Sequence, residues 1–236
     1  IQISLIQKKI NTYLKKNNQI NNTKLINTGY LKLDHVTRKI ENYAVKEDSI
    51  LLAPTLSTRL KNFNINSYLI NLIEKILNDN KFNLIYRPHP ADIYNLQLKK
   101  DVDKINDIFN SNRNFLLDTN SSYLESYSKS KFLLTDFSGT AYTYAFSTLK
   151  PVIFYSPNDN NLLKTENFSD LSFFKDREKI GRVVKDIKSL NQEIDFINSN
   201  IIEIKKNIFD LRHSRIKYFA NSSSQSVLEI KKILEK

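Results

Sequence analysis

Apolar residues come in short runs along this chain, and between the runs the spacing changes to that of helices. Residues 1–17 place Ile3, Ile6, Ile10 and Leu14 at helical spacing, with Gln, Lys and Asn among the residues between them. Strands and helices then alternate. Ser49-Ile50-Leu51-Leu52-Ala53 is an apolar strand halted by Pro54, and residues 67–77 carry an amphipathic helical pattern. Residues 82–86 read as a strand ending at Arg87-Pro88-His89-Pro90, followed by a helix over 101–109 and a strand over 115–117. A short helix over 123–128 precedes a strand over 132–134, and a helix after Gly139 leads to a fifth strand over 151–155. Five apolar strands separated by helices predict an α/β fold with a Rossmann-like, doubly wound parallel sheet and right-handed crossovers.

After the fifth strand, residues 156–175 are polar and too long for a plain connection, which makes them a candidate substrate loop. From Arg177 onward the pattern reads as helical, through Val183-Val184, Leu190, Ile194, Ile201, Ile204 and Ile208, to a last helix near 224–234. The Asn-rich stretch from Asn17 to Asn22 reads as a loop, and no repeat is present. The expected organisation is an N-terminal helix and inter-domain segment over 1–45, then a Rossmann-like domain with C-terminal helices over 46–236.

Composition narrows the class. With 40% hydrophobic and 26% charged residues the chain reads as a soluble globular protein. No apolar run approaches the ~18 residues a membrane span needs. No signal-peptide pattern is present, and the chain opens on Ile1 and contains no Met, so an excerpt or processed product is expected. The absence of Cys excludes disulfides, thiol catalysis and Cys-based zinc sites, and is compatible with the cytoplasm. The net charge of +11 admits nucleic acid, an anionic membrane surface, or a phosphorylated substrate or polymer as partner. The lysines are scattered with no block of five like charges, so a solvated basic face with no partner explains part of the excess equally well.

Candidate chemistry gathers where the strands end. Thr135-Asp136-Phe137-Ser138-Gly139-Thr140 closes an apolar strand and opens a helix. The first N–H groups of that helix lack internal partners, hydroxyl side chains add donors, and Gly139 admits a phosphate close to the backbone. An ordinary helix cap is the plain alternative. Other strands end at Thr55 with Arg59 nearby, at Arg87-Pro88-His89-Pro90, and at Asp118-Thr119-Asn120. In a doubly wound sheet, ligands bind at those carboxyl ends, so the convergence indicates a nucleotide or phosphate site. His89, fixed between two prolines, can donate to phosphate oxygens or neutralise a leaving diphosphate, and is the candidate catalytic residue.

Other features carry less. Arg212 and Arg215, upstream of Asn221-Ser222-Ser223-Ser224, form either a second anion site or solvated arginines beside a capped helix. His35 and His213 read as ordinary surface or packing residues. Asp101-Val102-Asp103 spells a metal-binding DxD, but its place before a helix, away from the strand ends, suits N-terminal helix charge better. With Gly29, Gly139 and Gly181 as the only glycines there is no Walker loop and no GxGxxG, and no His/Cys cluster suits zinc. No metal and no cofactor is expected.

Across these residues the chain resembles the CDP-glycerol glycerophosphotransferase (teichoic-acid and capsule polymerase) family, in its nucleotide-binding half. The matching pieces keep the family's order: Thr28-Gly29-Tyr30-Leu31-Lys32-Leu33-Asp34, Leu52-Ala53-Pro54-Thr55 with Arg59, Arg87-Pro88-His89-Pro90, and Thr135-Asp136-Phe137-Ser138-Gly139. Lys150-Pro151-Val152-Ile153-Phe154, Ile180-Gly181-Arg182-Val183-Val184 and Asn221-Ser222-Ser223-Ser224-Gln225-Ser226 continue the series. The resemblance implies the C-terminal half of a GT-B architecture, and transfer of a polyol phosphate, or a sugar or sugar phosphate, from a CDP-linked donor to a surface polymer.

By that resemblance His89, Asp136, Ser138 and Gly139 hold the diphosphate, with Thr55 and Arg59 beside them. Arg87, Thr119, Thr135, Thr140, Ser222 and Ser223 complete the expected substrate-binding set. The implied partners are a CDP-activated donor, a polyol-phosphate or polysaccharide acceptor that can be lipid-linked, and the inner face of the cell membrane, with no nucleic acid. The family's His-Gly base motif has no counterpart here, so the chain is expected to bind donor without polymerising by itself. Gly139 replaces a second Ser, Thr143 replaces a frequent Asp, and residues 156–175 depart from the family's loop; these differences fit a capsule-type relative. A GT-B nucleotide-sugar glycosyltransferase, and a basic nucleic-acid-binding module, stand as the alternatives.

Overall fold

Six short strands supply the frame of the chain, as seen in a computed structural model that describes residues 10–17, 25–43, 47–79, 81–165 and 168–235. They are β1 (Ser49–Leu52), β2 (Asn83–Tyr86), β3 (Phe115–Leu117), β4 (Ser130–Thr135), β5 (Val152–Tyr155) and β6 (Gly181–Val184). All pair in parallel in the order β3-β2-β1-β4-β5-β6. This is the doubly wound order, which reverses direction between β1 and β4. Every residue of β1 and β5 is buried, as befits strands covered on both faces, and β3 closes one edge with Leu116 exposed.

The residues cluster into two compact units, one of 36–212 and one of 1–35 with 213–236. In the larger unit the sheet is followed and covered by α3 (Leu69–Asn78), α4 (Pro90–Tyr94), α5 (Leu96–Phe109), α6 (Leu124–Lys129), α7 (Thr140–Thr148) and α11 (Leu190–Ser199). Helix α3 shows how the pattern works: Leu69, Leu72, Ile73, Ile76 and Leu77 make one buried stripe, the i, i+3, i+4 face of an amphipathic helix. Lys150 is buried between α7 and β5. Its ammonium donates to the carbonyls of Tyr127, Ser128 and Ser130 at 3.1, 2.8 and 2.7 Å, satisfying the end of α6. Burial lowers its pKa, against the pull of Glu47.

In the smaller unit, residues 10–16 are helical (α1), and the N-terminal part of α2 (Leu31–Ile40) carries Asp34. Asp34 accepts from the backbone N–H groups of Ala220 and Ser222, both at 2.9 Å, and so caps α13 (Ser222–Leu234) from a distance. Ser222 is fully buried, and its hydroxyl accepts from Tyr30 N–H at 2.9 Å. Gly29 sits at φ +92, where a Cβ would lie 2.3 Å from the Ser222 hydroxyl oxygen and 2.7 Å from the Lys217 carbonyl. Of the helix expected over 1–17 and the loop expected over 17–22, residues 1–9 and 18–22 lie outside the described residues.

Three expectations need correction. Gly181-Arg182-Val183-Val184 is strand β6 rather than helix. Four residues flanked by helices, with Arg182 and Val183 only half-buried, carry no apolar run of strand length, and pairing with β5 decides the conformation. Asp101-Val102-Asp103 lies inside α5 rather than ahead of it, with Asp103 paired to Lys99 one turn back at 2.6 Å.

The stretch 156–175 is also more than a polar loop. It contains α8 (Asp159–Thr165), a 3-10 turn (Phe168–Asp170) and α9 (Ser172–Lys175), and runs into α10 (Arg177–Ile180). A buried bidentate pair fastens it: Arg177 Nη1 and Nη2 donate to Asp159 Oδ1 and Oδ2 at 2.7 and 3.0 Å.

Gly181 has a steric reason. A Cβ there would fall 1.7 Å from the Val152 carbonyl oxygen and 2.6 Å from its carbon, both fixed backbone atoms of the neighbouring strand. Gly181→Ala should therefore push β6 off β5 and destabilise by about 3 kcal/mol, the upper end of the range typical of overpacking. Urea unfolding followed by tyrosine fluorescence and circular dichroism measures it, and an unchanged midpoint would refute the clash.

Candidate functional site

The strand order reverses between β1 and β4, the point where a doubly wound sheet forms its crevice at the carboxyl ends, and the loops there are built from side-chain bonds to backbone. Thr135 Oγ1 donates to the Ala53 carbonyl at 2.6 Å, and Ala53 N–H donates to Leu134 O at 3.0 Å. Asp136 follows, only 2% exposed. Its Oδ1 accepts from Thr55 N–H at 3.1 Å and its Oδ2 from Ile65 N–H at 3.3 Å, pinning both ends of the loop after β1. Inside that loop Asn64 Nδ2 donates to the carbonyls of Ser57 and Arg59, and Asn66 Nδ2 to that of Thr55. Asn158, after β5, donates to the Asn62 carbonyl at 3.2 Å.

The β2 end is built the same way. Arg87 lies against the Asp118 carboxylate at 2.5 Å, and also donates to the carbonyls of Asn120 at 2.7 Å and Ser122 at 3.4 Å. Ser126 donates a short hydrogen bond to the same carboxylate. Burial works to raise the Asp118 pKa, but the bonds from Ser126, Asn120 N–H and Arg87 outweigh it and hold the carboxyl below its usual range.

His89 is the N-cap of α4, in extended conformation with Pro90 at the first helical position. Its Nδ1 accepts from Ala91 N–H at 3.1 Å. In the neutral ring the proton then sits on Nε2, which leaves an oriented N–H donor on a half-buried side chain.

At the start of α7 the chain is open. Gly139 is the N-cap at φ −60, ψ −17, and a Cβ there would meet nothing within 4 Å. Neither torsion nor packing demands glycine at this position; glycine is a common N-cap, and here it leaves the backbone at the start of the helix uncovered. Ser138 Oγ accepts from Thr140 N–H at 3.4 Å, and Thr140 Oγ1 shares a hydrogen bond with the Tyr127 hydroxyl at 2.8 Å.

The sequence-predicted residues divide in two. Thr55, Arg59, Arg87, His89, Thr135, Asp136, Ser138, Gly139 and Thr140 all lie at or just beyond the carboxyl ends of the three adjacent strands β2, β1 and β4, and Thr119 is exposed beyond β3. Of these, Thr135, Asp136 and Arg87 spend their polar atoms on protein groups, while His89 Nε2, Ser138, Gly139, Arg59 and Thr119 face outward or are half-buried. Ser222 and Ser223 belong to the smaller unit, where Ser222 is a buried structural hydroxyl and Ser223 is exposed.

Arg212 is buried, donating to the Phe146 carbonyl at 2.8 Å and lying over the Phe209 ring; Arg215 is exposed. Sequence reasoning passed over Asn64, Asn66 and Asp92, which shape the loop through backbone contacts and carry no motif to mark them. Among the described residues no three His, Asp or Glu gather as a metal site, and no helix is long and apolar enough to cross a membrane.

A parallel sheet in this order, with a helix starting at its switch point, defines an α/β, Rossmann-like fold of the GT-B type. The chain belongs to the CDP-glycerol:poly(glycerophosphate) glycerophosphotransferase family, whose sequence model matches residues 6–231. Among solved structures it is similar to the wall teichoic acid polymerase TagF, at 17% identity and TM-score 0.52 over 87% of this chain and 49% of that one. A variant of that polymerase soaked with CDPG matches at 19% identity and TM-score 0.51, over 86% of this chain and 47% of that one. A Methanocaldococcus jannaschii UDP-GlcNAc 2-epimerase in complex with UDP-GlcNAc and UDP matches at 17% identity and TM-score 0.52, over 94% and 58%. No curated protein sequence matches. The chain spans about half the length of these structures.

Burial of Asp136 raises its carboxyl pKa from the usual 3.8 to about 6, against the lowering effect of N–H bonds from Ile65, Thr55, its own backbone and Ser138. The folded state thus holds this proton more tightly than the unfolded chain. Its contribution favours folding fully below about pH 4 and is lost as pH rises through about 6. Asp136→Asn has no such proton, so the stability difference, wild type minus variant, should fall as pH rises across that window. Urea melts of both proteins at several pH values test this, and a pH-independent difference would refute it.

Proposed function

We propose that this chain binds the CDP-activated donor of a CDP-glycerol-type glycerophosphotransferase that builds a bacterial surface glycopolymer, teichoic acid or capsule. Membership of the family supports the donor class. The observation that carries the site is His89: its Nδ1 is occupied by Ala91 N–H, which leaves Nε2–H as the ring's remaining donor, on the loop that follows β2, the strand beside β1. In polyol-phosphate transfer an acceptor hydroxyl attacks the phosphorus that carries the polyol. The bond from that phosphorus to the bridging oxygen breaks, and CMP leaves with the extra negative charge. A fixed N–H donor stabilises charge that develops there. Ser138, the open backbone at Gly139 and the start of α7 complete the phosphate cradle in this reading, with Thr55, Arg59 and Thr119 around it.

Asp136, Thr135 and Arg87 act in it as positioning residues, holding the loops that carry the contacts. Donor binding is assigned to a domain of residues 46–236, and 1–45 to the segment leading into it, tied to α13 through Tyr30 and Asp34. The acceptor hydroxyl and its general base are assigned to a facing half, in keeping with the chain's match to about half of the polymerase's length. The charge of +11 suits a phosphate-rich acceptor and an anionic inner membrane face, where we place the protein as a peripheral enzyme. A nucleotide-sugar glycosyltransferase is the second reading, supported by the similarity to an epimerase bound to UDP-GlcNAc and UDP.

The choice is measurable. CDP should stabilise the protein by roughly 2–3 kcal/mol at ~100-fold above its dissociation constant. Thermal shift against CDP, CDP-glycerol, CDP-ribitol and UDP-sugars reads it, and a shift with UDP but none with CDP selects the second reading.

His89→Ala should weaken CDP binding by about 1–3 kcal/mol, the worth of a charged hydrogen bond, and leave cytidine binding nearly unchanged. Calorimetric titration of both ligands checks this. Equal losses would mean that the turn had collapsed rather than that a phosphate donor had been removed.

A further inference from the structure

A cavity of about 430 Å³ opens between α3, α5 and the loop after β1, whose Ser57, Asn64 and Asn66 line it from the side; the donor-site reading gives none of its lining residues a ligand contact. Its size is that of a small-molecule pocket. Leu69 and Ile70 of α3 and Leu98, Val102 and Ile105 of α5 supply apolar walls. Tyr86, the last residue of β2, also lines it; its side chain is only 2% exposed, and its hydroxyl has no hydrogen-bond partner among the described residues. That hydroxyl is not sealed from solvent: at the wall of an open cavity it stands as a donor and acceptor that no protein group uses.

The charges around the cavity nearly cancel. Lys61 and Lys104 contribute two positive groups and Asp92 and Asp101 two negative ones. Asp92 is buried and committed, accepting from the Ser57 N–H at 3.1 Å and from its hydroxyl at 2.6 Å. Asp101 is exposed. Its partner in the DxD pattern, Asp103, is paired to Lys99. Of that motif, Asp101 and Val102 border the cavity. Burial and the nearby charges of Asp92 and Asp101 push the Tyr86 phenol well above its usual pKa, so it keeps its proton throughout the working range.

We propose that this cavity is a second binding site, for a neutral polyhydroxylated ligand of polyol or single-sugar size. The Tyr86 hydroxyl bonds the ligand at the wall and the Asp101 carboxylate accepts from its hydroxyls, while the C–H face packs on Leu98 and Val102. A phosphorylated ligand gains nothing from a site whose charges balance and meets two carboxylates in it. The inference stands on this cavity alone and does not depend on the donor reading.

Saturation-transfer NMR on the full chain, with glycerol, ribitol, N-acetylglucosamine and glycerol 3-phosphate as probes, tests it. At least one neutral probe should receive saturation and shift the amides of Val102 and Lys104, and glycerol 3-phosphate should bind no better than glycerol. Tyr86→Phe keeps the ring and removes only the hydroxyl, so it should weaken that probe about fivefold, the ~1 kcal/mol of one neutral hydrogen bond. CDP binding should not change. Val102→Trp, which fills the cavity, should abolish the probe's signal. No transfer to any neutral probe, meaning that water alone occupies the cavity, would overturn the proposal. So would transfer unaffected by Tyr86→Phe, stronger binding of the phosphate, or displacement of the probe by CDP.

Discussion

A single buried carboxylate, that of Asp136, holds two backbone N–H groups 81 and 71 residues earlier in the chain. Everything at the crevice depends on that pair of bonds. They fix where the loop after β1 begins and ends, and Asn64, Asn66 and Asn158 then bond to carbonyls within a loop of fixed span. Without the carboxylate, Thr55 N–H and Ile65 N–H would be buried donors lacking an acceptor, each costing more than an ordinary hydrogen bond contributes. The same burial keeps the carboxyl pKa high, so the group is costly to ionise and is tolerated for what it positions.

Arg87 with Asp118, and Arg177 with Asp159, repeat the principle at neighbouring strand ends. In each case a charged pair with little exposure joins two segments that flank neighbouring strands, the loops after β2 and β3 or the starts of α8 and α10. The outward-facing groups that remain, His89 Nε2, Ser138 and the backbone at Gly139, are few and sit on a frame that is already satisfied. Such a division suits a site that must hold its geometry within a fraction of an ångström: the inner layer fixes the loops, and the outer layer is the one to which the proposed donor site is assigned.

The motifs that mark the family also acquire physical meaning here. Thr28 to Asp34 and Asn221 to Ser226 meet in the smaller unit, where Gly29 makes room for Ser222 and Asp34 caps α13. Gly181 belongs to its motif because the Val152 carbonyl occupies the space a Cβ would take. Lys150 precedes β5 because three carbonyls at the end of α6 need a donor. These positions keep the sheet and its helix ends in register, whereas His89 and Gly139 carry the features that packing does not explain.

The sequence determined the strands whose apolar residues are buried on both faces. In β1, β4 and β5 a run of apolar residues is what a parallel strand covered on both faces requires, and Pro54 and Pro151 mark where two of the runs stop or start. It also determined that polar residues gather at the carboxyl ends, since an alternating α/β chain places its loops there. It could not reveal β6, whose four residues become a strand only by pairing with β5. Nor could it say which way a polar side chain turns. Thr135, Asp136 and Ser138 lie within four positions, yet the first two are buried against backbone and the third lies partly open beside the crevice. A side chain's partner is set by groups brought near from 70 or more residues away, and only tertiary structure fixes those distances.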